Sequence, residues 1–241
     1  MFWRFGGYAN ISTLDTILDK PDVTLDELLD ETDLIQELKQ HNTKLIEYLR
    51  DDNVLRRLLE YVTAPASPKP EEEDDEEEVA EEAPSTNILI PLRLTSPLRR
   101  RSKDPKEKSK RQEERNEWEN ADKIRQKHAY IACEILSSET WSILEALMEN
   151  QQHLKMFWDF LRREPSLEPS AAGYFTKINE TLLDKKTEET LNFVKLQEGI
   201  IPALLQHVDC PMVMDLLLKI ISMEKSEGGM GIVDVRNPGW R

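Results

Sequence analysis

Four histidines and two cysteines are the residues from which metal or nucleophilic chemistry would be built in this 241-residue chain: His41, His128, His153 and His207, with Cys133 and Cys210. A zinc site needs such residues in close pairs, as in C-x-x-C or H-E-x-x-H, so that one turn or one helix face presents two ligands. None of the six is spaced in that way. His128 and Cys133 fall on different faces of a helix, and the histidines read as structural or surface residues. An activated serine would call for the G-x-S-x-G elbow, and a phosphate cradle for G-x-x-x-x-G-K-[ST]; neither occurs. Gly228-Gly229-Met230-Gly231 follows a helical pattern rather than a strand and reads as flexible tail. Carboxylates are plentiful, but most stand at helix starts, where they complement the dipole and cap free amides. No catalytic, metal or cofactor-binding residue is nominated, no cofactor is expected, and the chain is expected not to be an enzyme.

The elements that would carry any site are helices. Ser12-x-x-Asp15 resembles a capping signal ahead of Leu14, Ile17 and Leu18, and Thr24-Leu25-Asp26-Glu27 is a capping box before Leu28 and Leu29. Leu34, Ile35, Leu38, Leu45, Ile46 and Leu49 keep helical spacing on one longer element, and Asp51-Asp52-Asn53 restarts the chain into Val54, Leu55, Leu58, Leu59 and Val62. Further on, Ala121, Ile124, His128, Ile131, Ala132 and Ile135 share one face, and Trp141, Leu144, Leu147 and Met148 the next. Leu154, Phe157, Trp158 and Leu161 line a third. Trp141, Phe157 and Trp158 are expected in the core. Glu164-Pro165 and Glu168-Pro169 interrupt the pattern, after which helices are predicted over residues 171–183, 187–197, 201–207 and 212–223. The last of these is apolar nearly all round and is expected to be buried on most sides. The class is all-α. Helices of this length with short turns suit a bundle or a solenoid of stacked hairpins, and the long–short–buried grouping after residue 187 favours an armadillo- or HEAT-like solenoid.

Between the helical segments 1–63 and 117–226 lies a different composition. Residues 64–116 hold seven of the thirteen prolines, an acidic run in which ten of the twelve residues Glu71 to Glu82 are Asp or Glu, and a basic block from Arg99 to Arg115. So charged a stretch buries too little apolar area to offset an ordering cost of roughly 1–2 kcal/mol per residue, and it reads as a disordered insert. Residues 227–241 read as a flexible or aberrant tail. The net charge of −15 argues against a general nucleic-acid binder. No apolar run reaches the roughly eighteen residues a membrane span needs, and two distant cysteines suit a reducing intracellular compartment. The cytoplasm is the expected location, with the nucleus open to it through Arg99, Arg100, Arg101, Lys108, Lys110 and Arg111 if that block is an import signal; it serves equally well as a counterweight to the acidic run. Ser67-Pro68 and Ser96-Pro97 are minimal sites for proline-directed phosphorylation of Ser67 and Ser96.

Two stretches are candidates for meeting a partner. Phe2, Trp3 and Phe5 near the start would either anchor a partner or fold back to cover the first helices. The densest acidity runs from Asp15 to Glu37, nine acids against the single base Lys20, and Asp26, Glu27, Asp30 and Glu31 at its centre are expected to face a basic protein surface.

Several separate motifs, in order along the chain, resemble one family. Met1-Phe2-Trp3-Arg4-Phe5, Leu18-Asp19-Lys20 and Val23 to Glu31 look like the start of SAPS proteins, the regulatory subunits associated with protein phosphatase 6 and its yeast counterpart. Ala132 to Ser137, Phe157 to Leu161, Tyr174 to Asn179 and Met214 to Lys219 continue the resemblance, and the charged insert is of a kind associated with fungal members. The resemblance implies a non-catalytic scaffold of helical repeats that binds a phosphatase 2A/6-type catalytic subunit and directs it to substrates in cell-cycle and nutrient signalling. SAPS proteins are usually several times longer, so a truncated or alternatively spliced product, or an error of gene prediction, is expected after about residue 231. The alternative is a general armadillo-like adaptor or transport module with no phosphatase partner.

Overall fold

A computed structural model describes residues 13–66 and 105–226. Among these residues every regular element is a helix. Five precede the insert: α1 (Thr13–Leu18), α2 (Leu25–Asp30), α3 (Leu34–Lys39), α4 (Thr43–Leu49) and α5 (Asp52–Thr63). Seven follow, with one 3-10 turn (Asp159–Arg162) among them: α6 (Pro105–Leu136), α7 (Trp141–Glu149), α8 (Gln151–Trp158), α9 (Pro169–Lys185), α10 (Thr187–Leu196), α11 (Ile200–Gln206) and α12 (Pro211–Ser226). They divide into two compact units, one joining the residues up to Ala66 with those from Ile124 onward, the other ending at Lys123.

Helices of six or seven residues do not persist alone in water, so each of the first four needs a local stop and a buried face. Thr24 caps α2 by accepting the Glu27 amide at 3.3 Å, and Leu25, Leu28 and Leu29 go inside. Asn42 caps α4 through the Leu45 amide at 3.2 Å, while its own amide nitrogen donates to Asp15 at 3.0 Å and Glu37 at 3.1 Å. That one side chain ties α1, α3 and α4 together. It also breaks what the spacing predicts as a single element over Leu34 to Leu49: His41 adopts φ 58° and the chain turns. Asp51 starts α5 by accepting the Asn53 amide at 2.9 Å, as the restart at Asp51-Asp52-Asn53 predicts.

Packing joins helices near one another in chain order, both adjacent ones and ones two to four places apart, which suits a helical-repeat solenoid. α1 and α3 pack on α4, α4 on α5 and α7, α5 on α8 and α9, α7 on α8, and α9 to α12 on one another. The core is continuous through this unit and is densest at Phe175, which is fully buried and has Phe157 at 4.8 Å, Phe160 at 5.3 Å and Trp158 at 5.4 Å between ring centroids. α9 and α12 approach closely at Gly173, where an added Cβ would stand 3.2 Å from the Met212 sulfur.

The sequence expectations need correcting at several places. Trp141 is not core: at the first position of α7 it is 68% exposed and its ring lies against the Lys186 ammonium, 5.1 Å from the centroid. A residue in the first turn, at the rim of a helix pair, has no neighbouring turn to cover it. Ala121 and Ile124 are also exposed, because the buried face of α6 takes over only from His128. α12 buries Val213, Leu216, Leu217 and Ile220 but leaves Leu218 and Ile221 about half exposed, since α9, α10 and α11 cover only one side of it. Finally, α6 begins at Pro105, inside the stretch read as insert. Lys, Arg, Glu and Gln alternate there at four-residue spacing, pairing Lys110 with Glu114 and Arg115 with Glu119, and proline suits a helix's first turn.

The aromatic cluster sets a stability expectation. Phe175→Ala should cost about 3–5 kcal/mol, by lost transfer energy and by the cavity left among three rings. Urea unfolding would measure it; a loss under about 1 kcal/mol would show that the cluster is not the centre of the core.

Candidate protein-binding surface

The acidic stretch singled out in the sequence is the surface of α2 and its flanks, and the structure divides its carboxylates into two kinds. With Leu25, Leu28 and Leu29 turned inward, Asp26 and Asp30 stand one turn apart on the same side, and both are used by this chain itself. His128 of α6, its side chain only 6% exposed, places Nε2 3.2 Å from Asp30 Oδ1 and Nδ1 3.6 Å from Asp26 Oδ1. The Tyr61 hydroxyl of α5 donates to Asp26, and the Tyr61 ring meets His128 edge-on at 5.6 Å. Burial and the bond to Asp26 push the Tyr61 hydroxyl's pKa up, so it remains a donor. Lys127 donates to Asp30 Oδ1 at 2.7 Å and to its carbonyl at 3.2 Å. The Lys127 and His128 hydrogen bonds hold the Asp30 carboxyl below its ordinary value of 3.8.

Glu27 and Glu31 are different. Their backbone amides serve the ends of α2, Glu27 bonding to Thr24 and Glu31 to the Leu28 carbonyl, but among the described residues neither carboxylate forms an ion pair. Glu27 is exposed and Glu31 partly buried. Asp22 and Asp33 extend this exposed acidic edge on either side. Phe2, Trp3, Phe5, Ser67, Ser96, Arg99, Arg100 and Arg101 lie outside the described residues, as does the side chain of Lys108. Lys110 and Arg111 sit exposed on α6, Lys110 paired with Glu114 at 3.7 Å.

The candidate chemical residues are spread out. His41 is exposed at its turn, His153 is buried with Nδ1 3.4 Å from Asp52, and His207 is fully buried with Nε2 donating to the Leu161 carbonyl at 3.0 Å. Among the described residues no three of His, Cys, Asp and Glu are placed to hold a metal ion. Cys133 is buried, and burial pushes its thiol up to about 11. A cavity between α5, α6 and α9, bordered by Arg125, Glu168 and Tyr174, encloses about 40 Å³, room for one water or so. No described helix is long and apolar enough to cross a membrane. His128 and Tyr61 are the residues that sequence reasoning missed: a lone histidine on an apolar helix face carries no signal of which carboxylates it will meet.

Stacked helices with a charged exterior define an all-α helical-repeat chain among the described residues. The comparisons find likeness to one family over part of the chain. Residues 179–238 match the family described as SAPS, SIT4 phosphatase-associated protein, a stretch that takes in α10 to α12 and runs on into the glycine-containing tail. The chain is 47% identical over 106 residues to extragenic suppressor of kinetochore protein 1 of Schizosaccharomyces pombe, covering 44% of this chain and 13% of that protein. It is 41% identical over 109 residues to SIT4-associating protein SAP185 of Saccharomyces cerevisiae, covering 45% of this chain and 10% of that protein. With mouse serine/threonine-protein phosphatase 6 regulatory subunit 2 it shares 36% identity over 107 residues, covering 44% of this chain and 12% of that protein. The SAPS resemblance read from the sequence therefore holds, over a stretch that spans only about a tenth of the length of these relatives. No solved structure matches the chain.

Two measurements test the site's two kinds of residue. Asp26→Ala with Asp30→Ala should cost about 1–3 kcal/mol at pH 7, because buried His128 loses both partners, whereas Glu27→Lys with Glu31→Lys should stay within about 0.5 kcal/mol. Since the folded Asp30 value is depressed, its contribution is full at neutral pH and is lost as the pH falls from about 4 through that depressed value; the gap between wild type and Asp30→Asn should close over that range. In thiol labelling of the native chain at pH 8, Cys210 should react well before Cys133, and equal rates would contradict the burial of Cys133.

Proposed function

We propose that this chain is a non-catalytic regulatory segment that binds a protein phosphatase catalytic subunit of the 2A/6 type and directs it to substrates. The observation that carries the reading is the match, over nearly half of the chain, to proteins named SIT4-associating proteins and phosphatase 6 regulatory subunits. The helical-repeat fold supports it, since such folds present extended faces for protein recognition. Within it, the exposed carboxylates of Asp22, Glu27 and Asp33, with the partly buried Glu31, supply the acidic part of the partner surface. Asp26 and Asp30 contribute indirectly, by holding α2 on α5 and α6. Exposed acids of this kind act on encounter and orientation more than on final affinity, and salt weakens them.

The test is capture of a purified phosphatase 6-type catalytic subunit by the immobilised chain at several ionic strengths. Binding is expected, falling with salt, and Glu27→Lys with Glu31→Lys should weaken it by about fivefold at low salt, roughly 1 kcal/mol. Recovery of other proteins with no phosphatase at any salt would reject the phosphatase reading. Phosphatase binding with an unchanged salt dependence in the double variant would reject only the acidic edge.

A further inference from the structure

The loop between the 3-10 turn and α9 has a feature that neither the core nor the acidic edge accounts for. It reads Arg162-Arg163-Glu164-Pro165-Ser166-Leu167-Glu168, and residues 162–166 are all exposed. Ser166 holds φ 78°, a left-handed conformation uncommon for a residue with a side chain. Its hydroxyl has no hydrogen-bond partner among the described residues. Arg163 is extended, with φ −69° and ψ 158°, and the residue before Pro165 is held extended by the proline ring. No backbone hydrogen bond within or across the chain is donated by residues 164–167.

We propose that Ser166 is a phosphorylation site for a serine kinase that reads arginine three and four residues before the acceptor. Such kinases pair acidic pockets with arginines at those offsets, a charge pattern that sets substrate choice. Both arginines stand at the surface and are engaged locally. Arg162, 59% exposed, pairs with Asp159 at 2.8 Å and donates to the Glu198 carbonyl at 3.4 Å, and Arg163 lies 5.0 Å over the Phe160 ring, where partial burial lowers its pKa. The acceptor lies in the loop of residues 163–168 between the 3-10 turn and α9, and leaving the left-handed conformation at Ser166 relieves backbone strain. In the reaction the Ser166 oxygen attacks the γ-phosphorus of magnesium-bound ATP. The bond from that phosphorus to the bridging oxygen breaks, ADP leaves, and the hydroxyl proton passes to the kinase's base. The product is a phosphoserine of charge about −1.5 to −2, three and four residues after Arg163 and Arg162.

Ser102 also follows three arginines and lies outside the described residues, so the experiment uses the folded chain carrying Ser102→Ala. This protein is incubated with magnesium-ATP and the catalytic domain of an arginine-directed serine kinase, and the sites are mapped by mass spectrometry. Phosphate is expected on Ser166, lost in Ser166→Ala and slowed at least tenfold in Arg163→Ala, with both variants keeping the parent's urea midpoint. A peptide of residues 158–172 is run in parallel, and its phosphorylation without that of the folded chain overturns the proposal, because the loop would then be closed to the enzyme in the fold. No phosphate on Ser166 in either, or a rate indifferent to Arg163, overturns it as well.

Discussion

The folded unit depends on one junction, between the helices that come before residue 67 and those that come after 123. α5 lies against α8 and α9, and α4 against α7, so the first five helices complete the face that the later ones expose. An intervening segment is tolerated there because the entropy of closing a loop rises only logarithmically, by about 0.6 kcal/mol for each doubling of its length. The apolar contacts across the junction do not change with that length.

Polar groups give these apolar helices their register. Three side chains do so on the N-terminal side: Asn42, shared among α1, α3 and α4; Tyr61, reaching from α5 to Asp26; and His128, reaching from α6 to Asp26 and Asp30. On the other side His207 of the α11–α12 turn seizes the carbonyl of Leu161. Leucines that are equally buried would tolerate a slip of one helix along another. A hydrogen bond to a particular oxygen does not, because a slip would leave a buried polar group unpaired.

The same division of labour explains the acidic edge. A carboxylate at the start of a short helix has three uses: capping, pairing with a neighbouring helix, and standing free. α2 shows the last two within six residues, pairing in Asp26 and Asp30 and standing free in Glu27 and Glu31, while its cap is the Thr24 hydroxyl. Only the free ones retain charge for a partner, so net charge summed over the stretch overstates what the surface offers.

Much of this was legible from the order of residues. Helical spacing of leucines, the capping box at Thr24 and the restart at Asp51 are local signals, and each acts over three or four residues, so the all-α class, most helix positions and the family resemblance followed from the sequence alone. What the sequence left open is what depends on faces brought together from far apart. It did not show that His41 and Asn42 break one helical pattern into two, that Trp141 sits on the rim, or that α12 is covered on one side only. Nor did it show that Asp26 and Asp30 belong to His128, about a hundred positions away in the chain. Local periodicity states which side of a helix is apolar; only packing decides which neighbour covers it, and which of several identical carboxylates is left to face another protein.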